Sequence, residues 1–330
     1  MRLVYFVLFP LDKKLSEGDR TRLKGLKRGP HFLNINIGVQ VLGRKDFDLE
    51  GKKIFEECYI YDDKVLISQF TYDVGTEISE GLIEKKSKIN SILRKKALLQ
   101  YSGNEQFLEE YSVLLVKKSG NIEEFIEANK FVLARLIRSL DKKIQSSDAD
   151  EVLVSRVAYS KEDVAVVDWE GAILVDSEGD FEEQLELIRV GNYQLLRYRI
   201  LDSEIEGSLL AVRKAIKGPR SGFMGNTLLR STVENKLSLL LDFDGVDQSL
   251  LLVGDWYSSK LYKIIIEEFY IDDWRDLVRN KLDSVEAIDT TARENLTLSW
   301  SRILDLVQII GWAILLVGYF LLYLKDARVF

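Results

Sequence analysis

Residues Leu306–Leu324 read LVQIIGWAILLVGYFLLYL, 19 positions without one formal charge. Gln308 is the only strongly polar side chain among them. At about 1.5 Å of rise per residue, the run covers roughly 28 Å as an α-helix, close to the ~30 Å hydrocarbon core of a bilayer. Charges bracket it, with Arg302 and Asp305 before and Lys325, Asp326 and Arg328 after. Trp312, Tyr319 and Tyr323 add rings of the kind that settle at a membrane interface. A core helix of a soluble protein keeps a polar stripe, whereas this run is apolar on nearly every face. The reading predicts a single C-terminal transmembrane helix over 306–324, with a short tail at 325–330.

Upstream, Val278, Leu282, Val285, Ile288, Ala292, Leu296, Trp300 and Ile303 span 25 positions in seven steps. A mean step of about 3.6 puts them on one helix face. No Pro or Gly lies between Asp272 and Gln308. A helical stalk over 227–305 is therefore expected to run into the span without a break. Its apolar seam needs a partner, either the Phe181–Ile216 helix or another subunit, and a coiled coil between copies is the expectation. Inside the span, Gly311 and Gly318 share a face with Gln308 and Leu315. Small residues there permit close helix packing, or glycine is simply tolerated.

The averages conceal this division. The chain has 330 residues, 46% hydrophobic and 30% charged. Its mean hydropathy is close to zero. All 99 formal charges, 46 basic and 53 acidic, fall outside the 19-residue run. The net charge of −7 gives no global basic field, so no nucleic-acid partner is expected. Cys58 and His31 are the only residues of their kinds. That excludes an intrachain disulfide framework and thiolate-rich metal sites, and it argues against Ser-His-Asp triads and HExxH zinc sites within one subunit. No cofactor, metal or catalytic residue is predicted.

Leu3–Pro10 (LVYFVLFP) is too short to span and has no small-residue cleavage site, so it reads as a buried strand and not a signal peptide. Lys and Arg tie on the two sides of the span. Without an export signal, the bulk of the chain is expected on the cytoplasmic side.

Residues 1–145 read as a mixed α/β region, an α+β domain. Its strands are Leu3–Phe9, Leu33–Leu42, Glu57–Tyr61, Val65–Tyr72 and Tyr111–Lys117; its helices are Glu77–Leu99 and Ile122–Ser139. Asp62-Asp63 marks a hairpin turn. Gln145–Asp150 (QSSDAD) reads as a linker. Residues 151–217 then read as a β-hairpin plus a long helix. The strands there are Val152–Tyr159, Val164–Trp169 and Ala172–Val175, and the helix is Phe181–Ile216, with Asp180 as N-cap and Glu183 completing a capping box. Asn192, Arg199 and Asp202 interrupt its apolar stripe and read as a solvated turn in preference to an internal polar cluster. Gly218–Asn226 reads as a second linker.

Two motifs suggest chemistry. Asp242-Phe-Asp244-Gly245 follows an apolar run, as in haloacid-dehalogenase-type phosphatases, where one aspartate attacks phosphorus beside Mg²⁺. Only 61 residues separate Asp244 from the span and they read as helical, so the parallel sheet of that fold has no room. A Mg-dependent phosphatase or hydrolase using Asp242 and Asp244 is the alternative reading. Asp168, Glu170, Asp176, Glu178 and Asp180 are the other acidic group, read as surface turns and a helix start before a cation site.

The order of elements resembles the family named "required for meiotic nuclear division" over Val152–Leu324. The residues that carry the resemblance are Asp255, Trp256, Leu261 and Tyr262, then Ile271, Arg275, Asn280, Lys281, Leu282 and Asp283, and Asn192-Tyr-Gln194-Leu195-Leu196 with Asp202. The resemblance implies a membrane-anchored, oligomeric, non-enzymatic anchor or assembly factor. The architecture is also similar to CorA-type Mg²⁺ channels, but those need two spans and a Gly-Met-Asn loop, and Met224-Gly225-Asn226 has another order. A transport-related helical assembly is thus the third reading. The leading expectation is a single-pass, self-associating scaffold whose partners are the lipid bilayer, further copies of itself and a protein not identified by sequence.

Overall fold

The computed structural model describes residues 1–11, 20–22, 37–103, 105–140, 142–217 and 256–327. Its strands are β1 (Arg2–Pro10), β2 (Arg20–Arg22), β3 (Gly38–Leu49), β4 (Lys52–Tyr61), β5 (Val65–Asp73), β6 (Glu109–Lys117), β7 (Arg156–Val157), β8 (Asp163–Asp168) and β9 (Gly171–Asp176). The helices are α1 (Glu80–Tyr101), α2 (Ile122–Ile137), α3 (Ser146–Val154), α4 (Glu182–Lys217), α5 (Trp256–Glu268) and α6 (Ile271–Ala327). The chain divides into two units, Met1–Asp202 with Ser238–Val278 and Ser203–Leu237 with Arg279–Phe330.

The first unit holds one nine-stranded sheet in the order β2-β3-β4-β5-β1-β6-β9-β8-β7. Its pairings are antiparallel except β6 with β9, which is parallel. Seven consecutive residues of β1, Leu3–Phe9, are buried. An unbroken apolar strand of that kind needs cover on both faces, and it has it. Leu3, Tyr5, Val7 and Phe9 pack with Ile89, Leu93 and Ala97 of α1. On the same face, Leu114 and Val116 of β6 and Ile173 and Val175 of β9 join Leu133 and Ala134 of α2 and Val152 of α3. The opposite face carries α4 and α5: Tyr61 of β4 meets Tyr193 of α4 at 5.3 Å between rings, and Tyr111 of β6 meets Phe269, just past α5, at 5.2 Å. The turn between β4 and β5 falls at Asp62 and Asp63, both with positive φ (51° and 56°), the signature of a tight hairpin with right-handed strand twist.

The architecture is thus a mixed α/β sheet region followed by long helices and one apolar C-terminal helix. Two local expectations are corrected. Gln145–Asp150 is not a linker: Gln145 precedes α3, and the amide of Gln145 donates to the Asp148 carboxylate at 3.3 Å. Ser and Asp suit a helix start as well as a loop, which is why the sequence misleads. Val152–Tyr159 is not one strand either. Val152 and Leu153 are buried in α3, and β7 is only Arg156–Val157, since a short apolar run fits either periodicity. The sheet takes strands from both sides of this segment.

The polar residues that interrupt the stripe of α4 are not one solvated turn: Asn192 is buried, and Arg199 and Asp202 are half-buried. Asn192 and Gln194 are buried. Asn192 donates to the Ile188 carbonyl at 2.9 Å, and Tyr262 donates to Gln194 at 2.8 Å. Arg199 pairs with Glu109 of β6.

In the second unit, Lys281 of α6 and Glu206 of α4 form an ion pair at 4.0 Å. Along α6, Val278, Leu282 and Val285 are buried. The other seam positions, Ile288, Ala292, Leu296, Trp300 and Ile303, lie outside the described side chains. Leu304–Tyr323 is long and apolar enough to cross a membrane, and none of it is buried.

Candidate functional site

Two features of the described residues have the shape of a functional surface. The first is the apolar segment of α6. Its large apolar side chains are 49% to 78% exposed. Gln308, Gly311, Leu315 and Gly318 all lie on it, and a Cβ added at Gly311 or Gly318 would meet nothing within 4 Å. Water is a poor solvent for such a surface, which needs lipid or other helices around it.

The second is a cleft of about 540 Å³ in the first unit. Strands β1, β3, β4, β5 and β6 make its floor through alternate side chains: Arg2 and Val4, Arg44, Phe55 and Glu57, Gln69 and Thr71, and Leu115. The segment from β9 into α4, Glu178–Glu182, makes its wall. Gly179 adopts φ +82°, and its Cα approaches the Lys117 stem closely enough that a Cβ would stand 3.0 Å from it. The polar groups of the floor bind one another. Arg44 Nε reaches Glu57 at 2.7 Å, Gln69 donates to Glu57 at 3.1 Å, and Arg189 of α4 donates to Gln69 at 3.2 Å. On the wall, the Asp176 carboxylate accepts from the amides of Gly179 and Asp180, and Asp180 accepts from Glu182 at 3.5 Å, near the cap position read from sequence. The lining has no Ser, Cys, His, Lys or Tyr. Its hydroxyl is Thr71, and Arg2, Arg44, Glu57, Glu178, Asp180 and Glu182 give it charges of both signs, which position a bound group by charge and shape.

Titratable groups also gather at the turn between β8 and β9. Asp168 is buried and is gripped by Arg138 through Nε at 3.0 Å and a terminal nitrogen at 2.9 Å. Lys86 of α1 is buried and donates to the Leu136 carbonyl at 2.6 Å and to Ser139 at 2.9 Å. Burial lowers its amine to about 8, with Glu170 opposing that shift. Burial raises the carboxyl of Glu170. Every strong contact here satisfies a helix end or a buried charge, which is structural work.

The acidic residues Asp168, Glu170, Asp176, Glu178 and Asp180 are not brought together. The first two stand at one end of β9 and the others at its far end, about 17 Å away at ~3.3 Å per residue. No group of three or more His, Cys, Asp or Glu able to hold a metal occurs among the described residues. Asp242, Asp244 and His31 lie outside the described residues.

The family described as "Uncharacterized protein MJ0711, N-terminal domain" matches residues 64–182. This segment runs from the β4–β5 turn to the first residue of α4 and includes the cleft wall. Over 256 residues the chain is 26% identical to "Uncharacterized protein MJ0711" of Methanocaldococcus jannaschii, covering 78% of each chain. No solved structure matches. The matched family segment lies mostly upstream of Val152–Leu324, and neither match bears on the likeness to the meiotic-division family expected for that stretch. Sequence reasoning named Glu178 and Asp180 of the cleft wall but missed its floor. Arg44, Glu57 and Gln69 carry no motif, and only strand register assembles them.

Proposed function

We propose that this protein is a single-pass membrane anchor that displays its folded sheet unit at the cytoplasmic face of a bilayer and self-associates to scaffold a protein partner, without catalysis. The observation that carries the reading is Leu304–Tyr323, a 20-residue apolar helical segment with none of its surface buried. Covering it with lipid removes the whole cost of its hydration. The resemblance of residues 152–324 to the "required for meiotic nuclear division" family supports the same class, an anchor or assembly factor. The buried and paired state of the strongest titratable groups, Asp168 with Arg138 and Lys86 with Leu136 and Ser139, supports a structural role over acid–base chemistry.

The test is extraction of membranes from cells expressing the full chain. A protein that stays with the membrane after alkaline carbonate, and whose sheet unit is digested by protease only when the cytoplasmic side is open, fits the reading. Release by carbonate would overturn it. Deleting residues 304–330 should move the chain to the soluble fraction.

A further inference from the structure

We propose that the cleft between the sheet floor and the start of α4 binds a small amphiphilic zwitterion, an ammonium and a carboxylate joined by an apolar body, as in an apolar α-amino acid or dipeptide. Arg2 takes the carboxylate and Asp180 takes the ammonium. This binding role stands apart from the membrane anchor and does not depend on it.

Two opposite charges line the cleft without being paired. Arg2 stands on the floor and Asp180 on the wall. Among the described residues neither makes an ion pair, with the other or with a third group. The Asp180 carboxylate accepts a long contact from the Glu182 amide, at 3.5 Å. Elsewhere on the floor the charges are spent on each other. Arg44 meets Glu57 at 2.7 Å, and the same carboxylate accepts from Gln69 at 3.1 Å. A ligand of one sign would satisfy Arg2 or Asp180 and set its charge against the other. A ligand of both signs satisfies the two together.

The backbones that present these charges are fixed before a ligand arrives. Arg2 is paired on both sides, with Asp73 of β5 and Leu115 of β6. The amide of Asp180 donates to the Asp176 carboxylate at 3.2 Å, and α4 begins two residues later. Only side chains remain to be ordered, which keeps the entropic cost of binding low.

Beside each charge the surface is apolar. Val4 follows Arg2 on the same face of β1, and Phe181 follows Asp180. Both are nearly buried, whereas the Phe55 ring on the floor is 37% exposed. The volume of about 540 Å³ far exceeds the ~30 Å³ share of one water and lies within the ~300–1,000 Å³ of small-molecule sites. A bare ion would leave Phe55 uncovered, so the ligand carries an apolar body for that ring to pack on.

Calorimetric titration of the full chain in detergent tests this, with L-phenylalanine and L-leucyl-L-phenylalanine as the probes. The pH is set near 7, where Arg2, Asp180 and both ends of each probe are charged. At least one probe should bind with a Kd of about 1 mM or tighter. Acetylating its amine, or converting its carboxylate to the amide, should each weaken binding at least about tenfold. Arg2→Gln should bind the free acid and the amide alike, and Asp180→Asn should bind the free and acetylated amines alike. Phe55→Ala should weaken binding about tenfold, whereas Lys85→Gln, exposed on α1, should change nothing. If a variant fails to fold, the blocked probes on the unsubstituted chain decide alone. No binding of either probe at about ten times that concentration overturns the proposal. Binding that survives both blocks overturns it in favour of an apolar groove without charge recognition. Binding that both folded variants leave unchanged places the ligand elsewhere and overturns it too. Membrane residence plays no part in the readout, so failure here leaves the anchor standing.

Discussion

Gly191 of α4 lies under Ile265 of α5 so closely that a Cβ on Gly191 would stand 2.4 Å from Ile265 Cγ2. Two atoms of the Phe269 ring follow at 3.1 and 3.2 Å. Ile265 and Phe269 are fully buried, so neither can turn away into solvent. Helix propensity favours Gly191→Ala by about 1 kcal/mol, whereas overpacking a closed core costs about 1–3 kcal/mol. Overpacking wins here because the intruding contact is well below van der Waals distance. Gly191→Ala should lower stability by about 1–2 kcal/mol in urea unfolding followed by circular dichroism in detergent. A gain in stability would mean that α4 and α5 do not cross at this point.

Arg138 and Asp168 give the second expectation. The carboxylate is nearly inaccessible, while the guanidinium is 32% exposed. Arg138→Met removes the partner but leaves the charge buried, at a cost of about 2–4 kcal/mol. Arg138→Lys keeps the charge and loses the fork, so it should recover only part. The double variant Arg138→Met with Asp168→Leu should be more stable than Arg138→Met alone. A double-mutant cycle in urea with strictly additive effects would show that the pair is uncoupled.

The apolar C-terminal helix, the hairpins β4–β5 and β8–β9 and the long helices were legible because each is written in local sequence. Charge-free length marks the apolar C-terminal helix, Asp62-Asp63 marks a tight turn, and a 3.6-residue repeat marks α4 and α6. The parallel pairing of β6 with β9 was not legible, since nothing local says which strands meet across two helices. The interior of α4 misled for a related reason. Asn192, Arg199 and Asp202 look solvated in sequence, whereas Asn192 is buried with its amide on the Ile188 carbonyl and Arg199 is half-buried against Glu109. Val152-Leu-Val154 and QSSDAD misled because three to six residues fit more than one backbone. The cleft was invisible because its residues come from five strands and one loop.

Cys58 should be chemically silent in the folded protein. Its sulfur lies 2.8 Å from the Tyr101 hydroxyl and 3.5 Å from Glu56. Burial pushes the thiol up to about 11, against hydrogen bonds from Tyr101 and Ser68 that pull the other way. At pH 8 that leaves about a hundredfold less thiolate than an ordinary cysteine has, before access is counted. Labelling with a maleimide at pH 8 should be over a hundredfold slower in the native protein than in 8 M urea. Fast native labelling would place Cys58 at the surface and remove the contact with Tyr101.

Lys86 makes stability depend on pH in a direction opposite to Cys58. Its amine titrates near 8 in the folded protein, below the ordinary 10.5, because burial disfavours the charge. Between those two values the unfolded chain holds a proton that the folded one has lost. Stability therefore rises with pH across this window, by at most about 3 kcal/mol, and the contribution is flat below 8. The raised thiol of Cys58 works against it from about 9 to 11, where the unfolded thiol has ionised and the folded one has not. The difference between wild type and Lys86→Met isolates the amine. Lys86→Met should be less stable at every pH than a neutral, fully bonded lysine, because the Leu136 carbonyl and Ser139 lose their donor. Its stability should fail to climb between pH 8 and 10, so the gap to wild type should widen across that range. Urea midpoints measured at intervals from pH 7 to 10.5 read this directly. A gap that stays constant would mean that Lys86 keeps its proton when folded, and a gap that narrows would mean that its ammonium is stabilised by Glu170 more than burial penalises it.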